Sequence, residues 1–298
     1  MNPFEAPSVR LSRRRFVKTA ATVSAATIVQ TSLSQKEETG PTALIDTNVS
    51  LGQWPFRQEA LADTAALVAR LRGQGVTQAW AGSFDALLHK DISSVNTRLA
   101  AECKEHGPDF LAPIGALNPM LPGWEQDLHR CVDDHQMAGI RLHPNYHGYP
   151  LGDSLFERVL QLANDRNLFV QISVIMEDER TIHPLVNVPA TDTAPLPVAL
   201  TKFPNVRLQL LNAFRTLRGL PVISLAAHGV SFEIAMLEGV SGISNLLEKL
   251  PADRLCFGSH APLFYFESAK LKLQESILTE PQLNALRSSN ALRLISRA

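Results

Sequence analysis

Cysteine is scarce in this chain of 298 residues, at three positions only: Cys103, Cys131 and Cys256. No two are close enough in sequence to suggest a metal knuckle or a redox pair. Each lies in an apolar stretch, so all three read as core residues, with a disulfide left open. Charge is thin as well. Charged residues make up 19% and the formal net charge is -1. That balance excludes the basic face by which a protein binds nucleic acid or an acidic membrane surface. No apolar run approaches the roughly 20 residues that a transmembrane helix needs. No Gly-rich phosphate turn follows the first strand-like segment, which argues against nucleotide binding.

What is present begins with an address. Residues 12–18 run Ser-Arg-Arg-Arg-Phe-Val-Lys, a pattern that resembles the twin-arginine export signal. A short, mild apolar segment from Thr19 to Val29 follows, and Ser32-Leu33-Ser34 is a weak cleavage candidate. The expectation is export of folded cargo to the periplasm or another extracytoplasmic site. Residues 1–38 are set aside from fold reasoning. The remainder carries 22 basic and 26 acidic residues, a mildly acidic balance of -4.

From residue 42 onward, short apolar runs alternate with helical stripes. Candidate strands are Ala43–Asn48, Val76–Gly82, Phe110–Leu117, Gly139–His143, Leu168–Val174, Val206–Leu211, Val230–Met236 and Leu255–Gly258. Their near-continuous apolar character suits parallel strands covered on both faces. Leu61, Ala65, Val68 and Leu71 form one helical stripe. Phe156, Val159, Leu160 and Ala163 form a second behind an expected capping box at Ser154 and Glu157, and Ile243, Leu246, Leu247 and Leu250 a third before Pro251. Eight such units predict an α/β fold, a single (β/α)8 TIM barrel over residues 42–298, with an open doubly wound sheet as the alternative. In such a barrel, function sits at the carboxyl ends of the strands. Polar residues stand there: Asp46 to Ser50 after strand 1, Arg141 to Asn145 after strand 4, Glu177 to Arg180 beyond strand 5, Asn212 after strand 6, Glu238 after strand 7 and Ser259-His260 after strand 8.

Four segments carry a family likeness. They are Ile45-Asp46-Thr47-Asn48, Gly139-Ile140-Arg141-Leu142-His143-Pro144, Phe257-Gly258-Ser259-His260-Ala261-Pro262, and Ser289 to Ile295. Their order and spacing over about residues 42–298 resemble the amidohydrolase-related family, in the branch that contains decarboxylases and lactonases. The departures are as informative. The family's strand-1 pattern is Asp-x-His-x-His, with both histidines on a metal, but here Asn48 and Ser50 stand in their places. Ser173 and Asn212 occupy the ligand positions of strands 5 and 6, and His260 replaces the strand-8 aspartate. Zinc needs three or four converging His, Asp, Glu or Cys donors at about 2.0–2.3 Å, and neutral Asn and Ser oxygens are poor substitutes. The expectation is therefore no catalytic metal, with zinc the alternative if His143, His183, His228 and His260 rebuild a site.

His260 is expected to act as general acid or base, because imidazole titrates near neutral pH. Arg141 and His143 alternate on strand 4 and so share a side. Arg141 offers a fork for a substrate carboxylate or an internal pair with Asp46, and His143 could polarise the substrate. Asp46 and Asn48 likewise share a face of strand 1, Asp46 to orient a base. Asp178, Arg180 and His183 fall on the loop after strand 5, as binding residues or as a solvated charge run. Trp54-Pro55-Phe56-Arg57 could roof the pocket, Arg57 adding a substrate contact. The functional expectation is a metal-independent hydrolase of a small carboxylated ester, lactone or amide. A metal-dependent hydrolase or decarboxylase with an unusual ligand set is the first alternative, and a non-catalytic small-molecule-binding barrel the second. The expected partner is a small-molecule substrate, with homo-oligomers open.

Overall fold

The computed structural model describes residues 43–296; the expected export signal at residues 1–38 lies outside the described residues. Eight strands pair in chain order, each parallel to the next: β1 (Ile45–Leu51), β2 (Gln78–Ser83), β3 (Leu111–Leu117), β4 (Gly139–Leu142), β5 (Phe169–Ser173), β6 (Arg207–Leu211), β7 (Ser231–Glu233) and β8 (Leu255–Cys256). The β8 end then returns to β1. Val49 bridges Ala261, the Thr47 amide donates to the Phe257 carbonyl at 3.0 Å, and the His260 amide donates to the Asn48 carbonyl at 2.8 Å. The sheet thus comes round on itself as a single (β/α)8 barrel, as the alternating pattern predicts.

Helices fill the crossovers: α1 (Thr64–Gly73), α2 (Ile92–His106), α3 (Trp124–Asp133), the one-turn α4 (Pro144–His147), α5 (Ser154–Asp165), α6 (Leu196–Lys202), α7 (Leu220–Ala227), α8 (Gly242–Leu247) and α9 (Phe266–Glu275). Two short helices, α10 (Glu280–Asn284) and α11 (Asn290–Ile295), end the described chain. None among the described residues is long and apolar enough to cross a membrane. All three cysteines are buried and free.

Local capping differs from the sequence expectation. The α5 N-cap is Asp153, whose carboxylate accepts from the Leu155 amide at 2.8 Å, so Ser154 is already the first helical residue. A carboxylate at that end also meets the positive pole of the helix. Asp153→Ala should lower stability by about 1 kcal/mol, seen as a drop in melting temperature. Ser154→Ala should leave it nearly unchanged.

The barrel interior is layered. At its amino end Ile45, Trp80, Ile114, Phe169 and Cys256 pack against Ala291 and Leu294 of α11. Above them runs a polar belt. Arg141 Nε donates to Gln171 Oε1 at 2.8 Å, and Gln171 Nε2 donates to Gln209 Oε1 at 2.9 Å and to the Thr47 carbonyl at 2.8 Å. Arg141 Nη1 donates to the Val49 carbonyl at 2.9 Å and the Ser50 hydroxyl at 3.3 Å, and Nη2 to the Trp80 carbonyl at 3.3 Å. Gly82 makes room for this guanidinium, since a Cβ there would sit 2.6 Å from Arg141 Nη1.

Candidate active site at the carboxyl end of the barrel

Where β1, β6, β7 and β8 end, a connected set of buried polar groups occupies the mouth of the barrel. Asn48 Nδ2 donates to Asn212 Oδ1 at 2.9 Å and to Glu233 Oε1 at 3.3 Å. Glu233 Oε1 also accepts from the Asn212 amide at 2.5 Å, and its Oε2 from the Ala235 amide. Asn212 Nδ2 donates to the Ile175 carbonyl at 2.8 Å and lies 3.4 Å from His260 Nε2. Asp46 accepts from the Ser259 amide at 2.9 Å, from the Ser259 hydroxyl, and from the Asn48 amide at 3.1 Å. Gly258 is required here, because a Cβ would stand 2.7 Å from Glu233 Oε2.

The backbone carries strain at two of these positions. Asn212 (φ 58°) and His260 (φ 59°) are both left-handed. Such conformations cost about 1–2 kcal/mol for a residue with a side chain, and they concentrate where structure serves function. His260 Nε2 lies 2.7 Å from the Met176 carbonyl. A carbonyl only accepts, so Nε2 carries the proton. That leaves Nδ1 of His260, like Nδ1 of the buried His143, with no partner.

Burial sets the protonation of the set. Loss of water pushes Glu233 up to about 7 despite its two amide donors, and Asp46 up to about 6 despite the Ser259 bonds. The same loss drives His260 down to about 4, the bond to the Met176 carbonyl only partly opposing it. His143 lies well below the usual histidine value, first through burial and then through its neighbours His147, Arg141 and His260. Near neutral pH the mouth therefore holds neutral imidazoles and two carboxyl groups that keep protons unusually well.

Of the residues singled out from sequence, Asp46, Asn48 and His260 meet here. Arg141 is spent on belt acceptors one layer below, where burial lowers its affinity for a proton and Asp46 partly restores it. Arg57 lies on the segment after β1, paired with Glu59 and Glu177 beside the mouth, and Asp178, Arg180 and His183 lie on the loop after β5. Asp178 pairs with Arg180, which reaches Glu238 at 3.1 Å in a network with Arg215 and Arg218. His183 is exposed and caps a single turn by accepting from the Leu185 amide. Of the two acids at the end of strand 7, Glu238, the one noted from sequence, belongs to that exposed network, and Glu233 faces the mouth. The signal for Glu233 was a lone acid inside the apolar run Val230–Met236. Gln171 and Gln209, alternating with apolar residues, signalled the belt in the same way.

A plug lies over the polar set. Trp54, Phe84, Leu87, Met176 and Leu263 form one apolar cluster, with Tyr146 and Phe264 against it. Trp54 meets Phe84 edge-on, ring centroids 5.1 Å apart, and Phe264 packs on His260 at 5.3 Å.

An α/β barrel with acidic, histidine and amide groups gathered at its carboxyl end defines a class, and the comparisons supply the family. The sequence pattern described as Amidohydrolase matches residues 50–297. The chain belongs to this amidohydrolase family. No curated protein matches it. Solved structures share the fold. One is a 5-carboxyvanillate decarboxylase from Novosphingobium aromaticivorans with bound manganese (12% identity, TM-score 0.65, covering 85% of this chain and 97% of that one). Another is a 2,6-dihydroxybenzoate decarboxylase from Rhizobium (12% identity, TM-score 0.64, covering 85% and 98%). A third, described as an amidohydrolase II, is 17% identical (TM-score 0.63, covering 85% and 99%).

These neighbours correct the expectation that no cofactor takes part. The decarboxylase from Novosphingobium aromaticivorans holds manganese in two structures, which points to a metal rather than to none. The departures read from sequence at four strand ends were too narrow a ground for excluding one. The donors this chain offers are nonetheless sparse. Among the described residues no three His, Cys, Asp or Glu side chains are grouped as a metal requires. Asn48 and Asn212, read from sequence as standing at the family's ligand positions, bond each other. Of the four histidines set aside as donors, His183 and His228 are exposed on helical turns away from the mouth.

Proposed function

We propose that the chain is a decarboxylase-type member of the amidohydrolase family, acting on a small carboxylated substrate. The observation that carries this reading is Glu233, a fully buried acid at the barrel mouth whose affinity for a proton is raised to about 7. Loss of carbon dioxide leaves an electron pair on carbon, and a proton must be delivered to that carbon. An acid half-protonated near neutral pH suits this step. Hydrolysis would ask for a base, and His260 at about 4 is a weak one. The decarboxylases among the structural neighbours favour the same choice.

In this reading Asn48 and Asn212 hold the Glu233 carboxyl in place, and His260, its Nε2–H on the Met176 carbonyl, turns Nδ1 to the substrate. The manganese of the neighbours brings a divalent metal into the reading. This chain's donors as placed do not form its cage, so no step is assigned to it. Export by the twin-arginine route belongs to the same proposal, and protection of the mature protein in a periplasmic fraction tests it.

The test is carbon dioxide release from a panel of hydroxylated benzoates, with and without added manganese or zinc. Release is expected, and Glu233→Gln should reduce it about 100-fold or more. Ester or lactone cleavage without carbon dioxide would return the reading to a hydrolase. One observation favours a second reading, a binding barrel without chemistry: the plug seals the mouth, leaving His143 3% and His260 1% exposed. Tight binding of a carboxylate with no turnover under any metal would select it.

A further inference from the structure

We propose that the segment joining β1 to α1, residues 52–63, is a lid over the barrel mouth, latched by Arg57 on Glu177 and released when a small carboxylate takes Arg57. The inference rests on the reading that ligands enter at this end of the barrel.

The polar groups of the mouth are out of reach as the chain stands. Asn212 is 1% and Glu233 0% exposed. Cavities of about 370 and 170 Å³ flank the plug, but neither is lined by His143, Glu233 or His260. Something must move before a substrate can arrive, and the attachments of each wall decide which part it is. The β8 side is tied down by backbone: Ser50 N donates to the Ala261 carbonyl, and Phe264 N to the His260 carbonyl, both at 3.0 Å. Among the described residues, 52–62 make no backbone–backbone hydrogen bond to the rest of the barrel. Segments held only by side chains open at low free energy.

Leu61 packs this segment against the main core near its α1 end, and two further side chains hold it over the mouth. Trp54 is driven into the plug and is 1% exposed. Arg57 reaches across to Glu177, on the loop after β5, and to Glu59 at 2.6 Å. At one end Gly52 has φ +86°, with open space where a Cβ would point. At the other, Asp63 starts α1 by accepting from the Ala66 amide at 2.8 Å. The moving part therefore has defined ends.

The latch is asymmetric. The Arg57 side chain is 43% exposed, whereas that of Glu177 is 4% exposed. Arg57 also lines the 370 Å³ groove outside the plug, together with the plug residues Leu263 and Phe264. A carboxylate entering that groove meets the guanidinium from the water side and competes with Glu177 for it. Once Arg57 turns outward, Glu177 is left as a buried charge without its partner, which raises the free energy of the closed state. The carboxyl group of the substrate thereby acts as the release signal, and a neutral analogue does not.

Hydrogen–deuterium exchange of the full chain tests this directly, followed on peptides spanning residues 52–63. Glu177→Gln and Arg57→Ala should each exchange about tenfold faster there than the wild type, equivalent to about 1.4 kcal/mol of latch. The double variant should be no faster than either single one, because both remove the same contact. Benzoate should speed exchange in the wild type, benzamide should not, and neither variant should respond to benzoate. Unchanged exchange in both variants overturns the latch, as does benzamide acting like benzoate. Should Glu177→Gln fail to fold, the exposed Arg57→Ala carries the comparison alone. No readout here depends on turnover. Opening by benzoate without any carbon dioxide release would reject decarboxylation and keep the lid.

Discussion

Replacing Arg141 with methionine is expected to destabilise the barrel by about 3–5 kcal/mol, the summed penalty of leaving several buried acceptors without their donor. The side chain is 2% exposed and its guanidinium serves four acceptors: Gln171 Oε1, the Val49 and Trp80 carbonyls, and the Ser50 hydroxyl. Methionine fills similar volume but supplies no donor. Each orphaned acceptor would then lose its bond in a place water does not reach. Asp46, which Arg141 helps to hold in its charged form, would keep its proton more firmly still. Urea unfolding of the variant measures the loss. The same experiment separates the two roles that the sequence left open for this residue. Scaffold predicts lost stability. A substrate fork predicts near wild-type stability and a KM raised about tenfold or more. The hydrogen bonds place the weight on scaffold.

How far the chain could be read without coordinates follows from the range of the forces involved. The eight strands were legible because each is a local apolar run between breakers, and the helices because their apolar stripes repeat every three to four residues. Strand ends were less so. Register is decided by partners far away, so β1 runs on to Leu51 to meet the β8 end at Ala261, carrying Asn48 and Ser50 inside the strand. Val230–Met236 shrinks to Ser231–Glu233 for the complementary reason: Glu233 folds its carboxylate back onto the Ala235 amide, which stops the strand. The polar set was only half legible. Asp46, Asn48 and His260 lie on quoted motifs, but the bonds that make them a unit join residues 164 and 185 positions apart. Nothing local announces such pairs. For the acidic loop after β5 the sequence left two readings open, binding residues or a solvated charge run. Its charges are equally conspicuous in sequence but part company in the fold: Asp178 and Arg180 find each other and Glu238 at the rim, whereas Glu177 is buried.

The other large effect expected is a dependence on pH that runs against the usual direction for carboxylates. Glu233 titrates near 4.5 when unfolded and near 7 when folded. The native state therefore binds the proton more tightly, and Glu233 adds stability that is fully present below about pH 4.5 and lost as pH rises through 7. At 1.36 kcal/mol per unit, the amount is about 3 kcal/mol. Asp46, raised from 3.8 to about 6, acts in the same sense over a slightly lower window. His260 opposes both. Its folded value is depressed from 6.5 to about 4, so its contribution is present above pH 6.5 and lost as pH falls through 4. The wild-type curve alone mixes these terms. A difference between two proteins isolates one of them, because Glu233→Gln keeps the shape but cannot ionise, and the cost of setting its NH2 against one of the two backbone donors is the same at both pH values and cancels. The wild type's advantage over this variant should be about 3 kcal/mol smaller at about pH 8 than at about pH 4.5, measured by urea unfolding at both. An equal advantage at both would mean that Glu233 ionises as an ordinary glutamate. It would then be a carboxylate throughout the working range, with no proton to give to a carbanion, and the decarboxylation proposed above would lose the group that carries it.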